Sequence, residues 1–110
     1  YEKKHIHIVL TQPNDYDEVI VVSISSLRAG SDTTVLLHRG DHPFVDHDSV
    51  VEYRMAGPTL ARVLSQRLDS GLYASYAPML ATILARIQEG VMESKFTRFG
   101  VKHRWNSYEL

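Results

Sequence analysis

The segment "RGDHPFVDHDSVVEYR", residues 39–54, packs two histidines and three aspartates into residues 41–48. Imidazole nitrogens and carboxylate oxygens can bind a metal ion, and imidazole can also transfer protons near neutral pH. The same side chains are equally suited to a polar loop in which they hydrogen-bond to nearby backbone groups. The segment therefore leaves three classes of protein open: a metal enzyme, a metal-free nuclease and a binding module.

A metal site would need further ligands, and His5 and His7 could supply them. They are two residues apart on a predicted strand, so their side chains leave the same face. The combined spacing matches no metal motif of defined geometry, such as His-Glu-x-x-His on a helix, and the chain has no cysteine. We therefore expect no metal and no other cofactor, and we interpret "FVDHD", residues 44–48, as a polar turn that leads into a strand.

Two other kinds of active site lack their sequence signatures. A serine hydrolase would be expected to show a Gly-x-Ser-x-Gly elbow, whereas Ser23, Ser25 and Ser26 end a predicted strand without flanking glycines. A phosphate-binding loop needs clustered glycines, and the six glycines of this chain are scattered singly. The sequence therefore predicts neither hydrolysis by a serine nucleophile nor binding of a nucleoside triphosphate.

Metal-free cleavage of RNA through its own 2′-hydroxyl needs a general base, a general acid and cations that stabilise a charged phosphorane. Histidine transfers protons near neutral pH, arginine clamps phosphate, and serine hydroxyls orient phosphate oxygens. The predicted strand ends and loops offer all three types. The candidate catalytic residues are His5, His7, Ser25 and Ser26, and the candidate phosphate-binding residues are Arg28, Arg39 and His42.

The C-terminal tail, residues 91–110, differs in character from the rest of the chain because basic and aromatic residues alternate in it. Such a pattern suits a single-stranded nucleic-acid surface, where aromatic rings stack on bases and cations contact phosphates. Alternatively, the tail is a final strand or an arm whose aromatic rings pack on the body or on a second subunit. The candidate RNA or partner contacts are Lys95, Arg98, Lys102, Arg104 and Trp105.

Length and composition indicate one domain, residues 1–110, of ordinary globular character, with 44% hydrophobic and 23% charged residues. The formal net charge is −1, so nucleic-acid binding would have to come from a local basic patch. No apolar run approaches the ~20 residues that span a bilayer, so no membrane association is expected. The absence of cysteine is typical of a cytoplasmic protein.

Hydrophobic patterning predicts a mainly β first half and two helices after it. Alternating and β-branched segments predict four strands, over residues 5–10, 18–25, 33–38 and 48–56. Gly57-Pro58 is expected to end the last strand and begin a helix that continues to Leu68. A second helix is expected to begin at Ser75 as N-cap, with Pro78 in its first turn, and to end at Gly90.

The order of these elements is similar to that of the PemK/MazF family of toxins. In that family a strand ends in a hydroxyl pair, and a loop, a short strand, a glycine-containing loop and a "DSVV" strand follow. Here "VVSISS", "TTVLL", "RGDHPFVDHDS" and "SVVEY" occupy those places in turn. "HIHIVLT" resembles the family's earlier strand and "ATILARIQEG" its final helix, so the resemblance covers about residues 5–90.

The resemblance implies a small SH3-like bent barrel of the CcdB/PemK type with appended helices. It also implies a homodimer that cleaves single-stranded RNA without metal and is neutralised by a cognate antitoxin. Ser25 or Ser26 would stand at the family's phosphate-contacting threonine. His5, not followed by proline, stands where the family has a catalytic arginine in an Arg-Pro pair.

This departure leaves three outcomes open. His5 or His7 transfers the proton while Arg28 or Arg39 holds the phosphate; the site is rearranged; or catalysis is lost and the chain is an inactive RNA- or protein-binding module.

Overall fold

The computed structural model describes residues 5–110, and the first four residues lie outside the described part. Strands come first along the chain and helices follow, which is the predicted β+α order. The strands are β1 (Ile6–Val9), β2 (Glu18–Ser26), β3 (Leu36–Leu37) and β4 (Ser49–Leu60). The helices are α1 (Ala61–Asp69), α2 (Ala81–Glu93) and α3 (Phe99–Arg104), and a 3-10 turn (Trp105–Ser107) follows.

The four strands form one antiparallel sheet in the order β1-β2-β4-β3. The pairing of β2 with β4 shifts register along its length, because Val21 lies opposite Gly57 and Ser23 lies opposite Glu52. A stretch of β4, residues 53–56, therefore faces a single residue of β2. Extra residues in one strand bend it and increase its twist, so the sheet is curled.

The predicted boundary at Gly57-Pro58 is wrong, because β4 continues to Leu60 with Ile20 opposite Pro58. A proline is tolerated here because β3 pairs only with Ser49 and Val50 of β4. Within residues 5–110, no strand pairs with the outer edge of β4 at Pro58, and the missing N–H therefore breaks no ladder bond.

The core lies between one face of the sheet and α2. Its fully buried members include Tyr53, Ile20, Val22, Val51, Ile87 and Val91. The Tyr53 hydroxyl donates a hydrogen bond of 2.7 Å to the Ile87 carbonyl oxygen.

Both predicted ends of α2 are wrong. The helix begins at Ala81 and not near Ser75, and it runs past Gly90 to Glu93. Gly90 is required inside the helix for a packing reason, since an added Cβ would overlap the Tyr53 hydroxyl.

The C-terminal segment is not a strand. It forms α3 and the 3-10 turn, and buries Val101, Trp105 and Tyr108 against the body. This is the packing arm that was predicted as one alternative, in helical form. None of the helices within residues 5–110 is long and apolar enough to cross a bilayer.

Candidate functional site

The end of β2, the turn after β3 and the loop before β4 meet at one end of the sheet. Ser26 is the last residue of β2 and lies opposite Ser49, the first residue of β4. The backbone N–H of Leu27 donates to the carbonyl oxygen of Asp48 at 3.0 Å. Residues 46–48 are thereby held beside Ser26.

Three side chains at this end form a hydrogen-bonded chain. Ser26 Oγ lies 2.7 Å from Nε2 of His47, and Nδ1 of His47 lies 2.5 Å from Oδ1 of Asp46. An ionised carboxylate only accepts hydrogen bonds, so Nδ1 of neutral His47 carries the proton and Nε2 accepts from the Ser26 hydroxyl. The His47 and Asp46 side chains are exposed, so an outside molecule can approach the imidazole.

The charge state of Asp46 follows from its neighbours. The hydrogen bond from His47 lowers the pKa of the Asp46 carboxyl below its usual value, and the positive charge that His47 carries when protonated and, more weakly, that of Arg39 act in the same direction. Asp46 is therefore ionised at neutral pH. An ionised partner fixes the tautomer of His47 and stabilises the imidazolium that forms when Nε2 takes a proton.

A second histidine–carboxylate pair lies next to the first. Nδ1 of His38 is 3.0 Å from Oδ1 of Asp48, the residue that follows His47. His38 is held in a turn, because its backbone N–H donates to Oδ2 of Asp41 and its carbonyl oxygen accepts from the Asp41 N–H. Gly40 in this turn has φ 98°, a conformation that favours glycine. The site therefore carries two histidines, each oriented by an aspartate.

His42 was predicted to contact phosphate, but both nitrogens of its ring form hydrogen bonds to backbone groups of the protein. Its Nε2 lies 2.6 Å from the Ala77 carbonyl oxygen, and its Nδ1 accepts the Phe44 N–H at 3.1 Å. The residue is only 8% exposed. Neither nitrogen is free for phosphate in this arrangement, and His42 instead fastens the loop that carries His47.

The predicted catalytic set divides between two faces of the sheet. Ser25 and Ser26 are adjacent on β2, so their side chains point to opposite faces. His7 lies opposite Ser23, which shares a face with Ser25. His5 and His7 have ring centroids 6.5 Å apart, and His7 stacks on Tyr73 at 6.3 Å.

Burial, followed by the charge of His5, lowers the pKa of His7 below its usual value. This favours the neutral imidazole, which can accept a proton. No carboxylate hydrogen bond to either ring occurs within residues 5–110, whereas His47 has one. Of the four predicted catalytic residues, Ser26 is the one that the structure places in a hydrogen-bonded relay.

The predicted phosphate-binding arginines are exposed on loops around this end. Arg39 follows His38 in the turn. Arg28 lies two residues beyond Ser26, and its backbone N–H donates to Ser31 Oγ at 2.9 Å. Both guanidinium groups are available to an anionic ligand.

The predicted contacts of the C-terminal segment are dispersed. Trp105 is 7% exposed and belongs to the core, so it cannot stack on a base without leaving it. Arg104 forms an ion pair with Glu18 at 3.1 Å, and Lys102 is half-buried on α3.

Lys95 lies over the Phe96 ring at 5.3 Å, and Arg98 Nε donates to the Arg54 carbonyl oxygen. Among the five predicted contacts, Lys95 is therefore the exposed cation that lies over an aromatic ring, and Arg98 is exposed but bonded to the backbone of Arg54.

The Ser26–His47–Asp46 chain has the connectivity of a serine-hydrolase triad, yet its surroundings differ. Acyl transfer depends on N–H groups beside the nucleophile that stabilise an oxyanion. The N–H of Leu27 is used by Asp48, and Ser26 ends a strand with no sharp turn behind it. The arrangement is better suited to proton transfer by His47 than to a serine nucleophile.

Within residues 5–110, no three histidine or acidic side chains converge in an arrangement that could hold a metal ion. What the site offers chemically is two imidazoles, a hydroxyl and nearby guanidinium groups. Comparison of the chain with protein-family models, with curated proteins and with solved structures gives no match.

Proposed function

We propose that this chain is an endoribonuclease that cleaves single-stranded RNA by metal-free acid–base catalysis through the RNA 2′-hydroxyl. The observation that carries the proposal is the hydrogen-bonded chain Ser26–His47–Asp46 beside the pair His38–Asp48. Cleavage of this kind needs one group that takes a proton and one that gives a proton, and two oriented histidines meet that need.

In the proposed reaction His47 is the general base. Its Nε2 takes the proton of the 2′-hydroxyl, and the 2′-oxygen attacks the adjacent phosphorus. The bond from phosphorus to the 5′-oxygen breaks, and His38 in its imidazolium form gives that oxygen a proton. The products are a 2′,3′-cyclic phosphate and a 5′-hydroxyl, and one proton has been taken up and one released.

The remaining groups of the site stabilise charge and position. Asp46, although exposed, orients the His47 ring and stabilises its imidazolium. In this proposal the Ser26 hydroxyl donates to a non-bridging phosphate oxygen once His47 holds a proton. Arg39 and Arg28 supply positive charge for the phosphorane.

The proposal includes the fold, the oligomeric state and the antitoxin that the resemblance to PemK/MazF toxins implied. The curled antiparallel sheet is compatible with a small SH3-like barrel of the CcdB/PemK type. A homodimer in the cytoplasm and neutralisation by a cognate antitoxin belong to the same proposal.

An inactive RNA- or protein-binding module is the second candidate. It is favoured by exposed cations on the C-terminal segment, since Lys95 lies over the half-buried Phe96 ring and Arg98 donates to the Arg54 carbonyl oxygen.

The test is incubation of the full chain with several long single-stranded RNAs in the presence of EDTA. We compare the wild type with His47→Ala, His38→Ala and, as a matched control on exposed α3 surface, His103→Ala. The wild type and His103→Ala should cleave, and His47→Ala should be slower by about 100-fold or more.

Two results contradict the proposal in different ways. Binding without cleavage of any RNA favours the binding module. Cleavage that survives in His47→Ala and is lost in His5→Ala/His7→Ala places the catalytic groups on the opposite face.

A further inference from the structure

A cleft of about 180 Å³ opens beside the end of β2 and takes no part in the proposed proton transfers. Its walls are the loop after β2, the outer face of β4 and the segment that follows α2. The side chains that bear on its chemistry are Arg28, Asp32, Glu52, Arg54 and Phe96. A cavity of this volume accommodates a group of the size of a nucleobase.

One rim of the cleft is a fixed turn. The Ser31 N–H donates to the Arg28 carbonyl oxygen at 3.1 Å, and the Ser31 hydroxyl accepts the Arg28 N–H. Gly30 has φ 82°, and no atom lies within 4 Å of the position of an added Cβ, so the rim is open toward solvent there. A ligand can enter the cleft past Gly30 without displacing a side chain.

The two acidic residues of the cleft differ in their hydrogen bonding. Asp32 is saturated, since its carboxylate accepts from Ser94 Oγ, Thr34 Oγ1 and the Thr34 N–H. Glu52 is half-buried, and no hydrogen bond or ion pair to it occurs within residues 5–110. A half-buried carboxylate with two unused oxygens is an acceptor for a ligand with two parallel N–H groups.

A planar group forms another wall. The Arg54 guanidinium lies 4.7 Å from the centroid of the Phe96 ring, which orients its plane. Nucleobases stack on arginine planes as well as on aromatic rings. Arg54 and Phe96 therefore provide a stacking surface next to the Glu52 carboxylate.

The charge around the cleft selects an anionic ligand over a cationic one. Arg28 and Arg54 line the cleft, and Lys95 and Arg98 contact Phe96 and Arg54 from outside. Of the two nearby carboxylates, Asp32 accepts three hydrogen bonds and Glu52 accepts none within residues 5–110. A nucleotide supplies both a donor for the carboxylate and an anion for the arginines, because its base can donate to Glu52 while its phosphates bind Arg28 and Arg54.

We propose that this cleft is a guanine-selective nucleobase site for the RNA strand whose cleavage is proposed above. Guanine is the base that presents two adjacent N–H donors, N1–H and N2–H, to a single carboxylate such as Glu52. Arg28 lies two residues from Ser26, so their Cα atoms are within about 7 Å of each other. Glu52 lies opposite Ser23, so its side chain is on the face of the sheet opposite to that of Ser26, and an RNA strand that reaches both sites passes around the end of β2 at Arg28. This inference rests on the proposed function for its substrate class, but its test does not need cleavage.

The test is an NMR titration of the full chain carrying His47→Ala with each of the four ribonucleoside 5′-monophosphates, read at the amides of Gly30 and Ser31. GMP should bind at least ~5-fold more tightly than AMP, CMP or UMP, the lower range for a bidentate contact to a base. Adding Glu52→Gln should abolish the preference. Adding Glu89→Gln, an exposed acid on α2, should leave it intact.

Equal affinity for the four nucleotides, or a guanine preference that survives Glu52→Gln, would overturn the inference. Shifts at Gly30 and Ser31 caused by arginine amide and by none of the nucleotides would assign the cleft to a basic protein partner and also overturn it. The two proposals fail separately. RNA cleavage without guanine preference contradicts only the base site, whereas guanine binding without cleavage contradicts only the catalytic proposal.

Discussion

Ser26 Oγ and His47 Nε2 lie 2.7 Å apart, although 21 residues separate them in the chain. The contact follows from the pairing of β2 with β4, which places Ser26 opposite Ser49. Ser49 Oγ in turn donates to the His47 carbonyl oxygen at 2.9 Å and holds the backbone of that residue. A one-residue slip of the pairing would turn Ser26 to the other face, so the register of the sheet determines whether the site exists.

Asp46→Asn should slow RNA cleavage by about 10- to 100-fold while leaving substrate affinity nearly unchanged. An amide does not stabilise the imidazolium of His47, and it can hold the ring in the wrong tautomer. The measurement is kcat and KM on one RNA substrate, with the thermal midpoint as the control for folding. An unchanged kcat would show that His47 does not act as the proposed base with Asp46 as its partner.

His42→Ala should destabilise the fold by roughly 1 kcal/mol, because the Ala77 carbonyl and the Phe44 N–H lose their partner in a partly buried place. Cleavage should also slow, since His42 fastens the loop that carries His47. Chemical denaturation measures the first effect. His103→Ala, on the surface of α3, is the matched control and should leave both quantities unchanged, and a loss equal to that of His42→Ala would refute the anchoring role.

Asp32 should make the fold sensitive to acid. Burial by itself raises the pKa of this carboxyl, but the hydrogen bonds from Ser94 and Thr34 outweigh burial and leave the pKa below its usual value. The folded state therefore binds the Asp32 proton less readily than the unfolded state. The stabilising contribution is complete above the unfolded pKa of about 3.9 and is lost as pH falls through the lower folded value.

Asp32→Asn should accordingly lower the free energy of unfolding at pH 7 and flatten its dependence on pH below about 4. Denaturation at a series of pH values measures both. A variant whose stability falls with acid as steeply as that of the wild type would contradict this role of Asp32.

Gly90→Ala and Gly100→Ala should change stability in opposite directions. A Cβ at Gly90 overlaps the Tyr53 hydroxyl, and overpacking of a buried ring costs about 3 kcal/mol. At Gly100, in α3, nothing lies within 4 Å of the new Cβ, so the gain is that of alanine over glycine in a helix, roughly 0.5–1 kcal/mol. The measurement is the thermal midpoint of unfolding of each variant. Equal shifts in the two variants would exclude the Tyr53 contact as the cause of the loss at Gly90.

Strand β2 could be predicted well because local patterning decides it, whereas the strand predicted over residues 33–38 is wrong in length, since β3 is only Leu36–Leu37. The run of β-branched residues from Glu18 places β2 within one residue of its observed end at Ser26. The boundary at Pro58 could not be predicted in this way, because it depends on which edge of β4 has a neighbour. The end of α2 is similar, since Gly90 indicates a helix stop unless the packing of Tyr53 is known.

The site was predictable only in part, because its members come from separate elements. Ser26 could be selected from its place at a strand end. His47 next to Asp46 is typical of a polar turn, and only the pairing of β2 with β4 brings it to Ser26. His38 was missed because it is the last residue of the strand predicted over residues 33–38 and its partner Asp48 is ten residues further on.

The C-terminal segment contained a usable signal. Val101, Trp105 and Tyr108 recur at intervals of four and three residues, which is helical spacing, and all three are buried. That spacing predicts a packed helix and assigns Trp105 to the core.

The most direct measurement is the cleavage of two matched single-stranded RNAs in EDTA, one of them with a 2′-deoxynucleotide on the 5′ side of the scissile phosphate. We predict that the all-ribose strand is cut to a 2′,3′-cyclic phosphate and a 5′-hydroxyl, identified by mass spectrometry. We also predict that the deoxy position is not cut and that His47→Ala cuts the all-ribose strand about 100-fold or more slowly. Cleavage at the deoxy position, or products that end in a 3′-hydroxyl and a 5′-phosphate, would contradict catalysis through the RNA 2′-hydroxyl by His47.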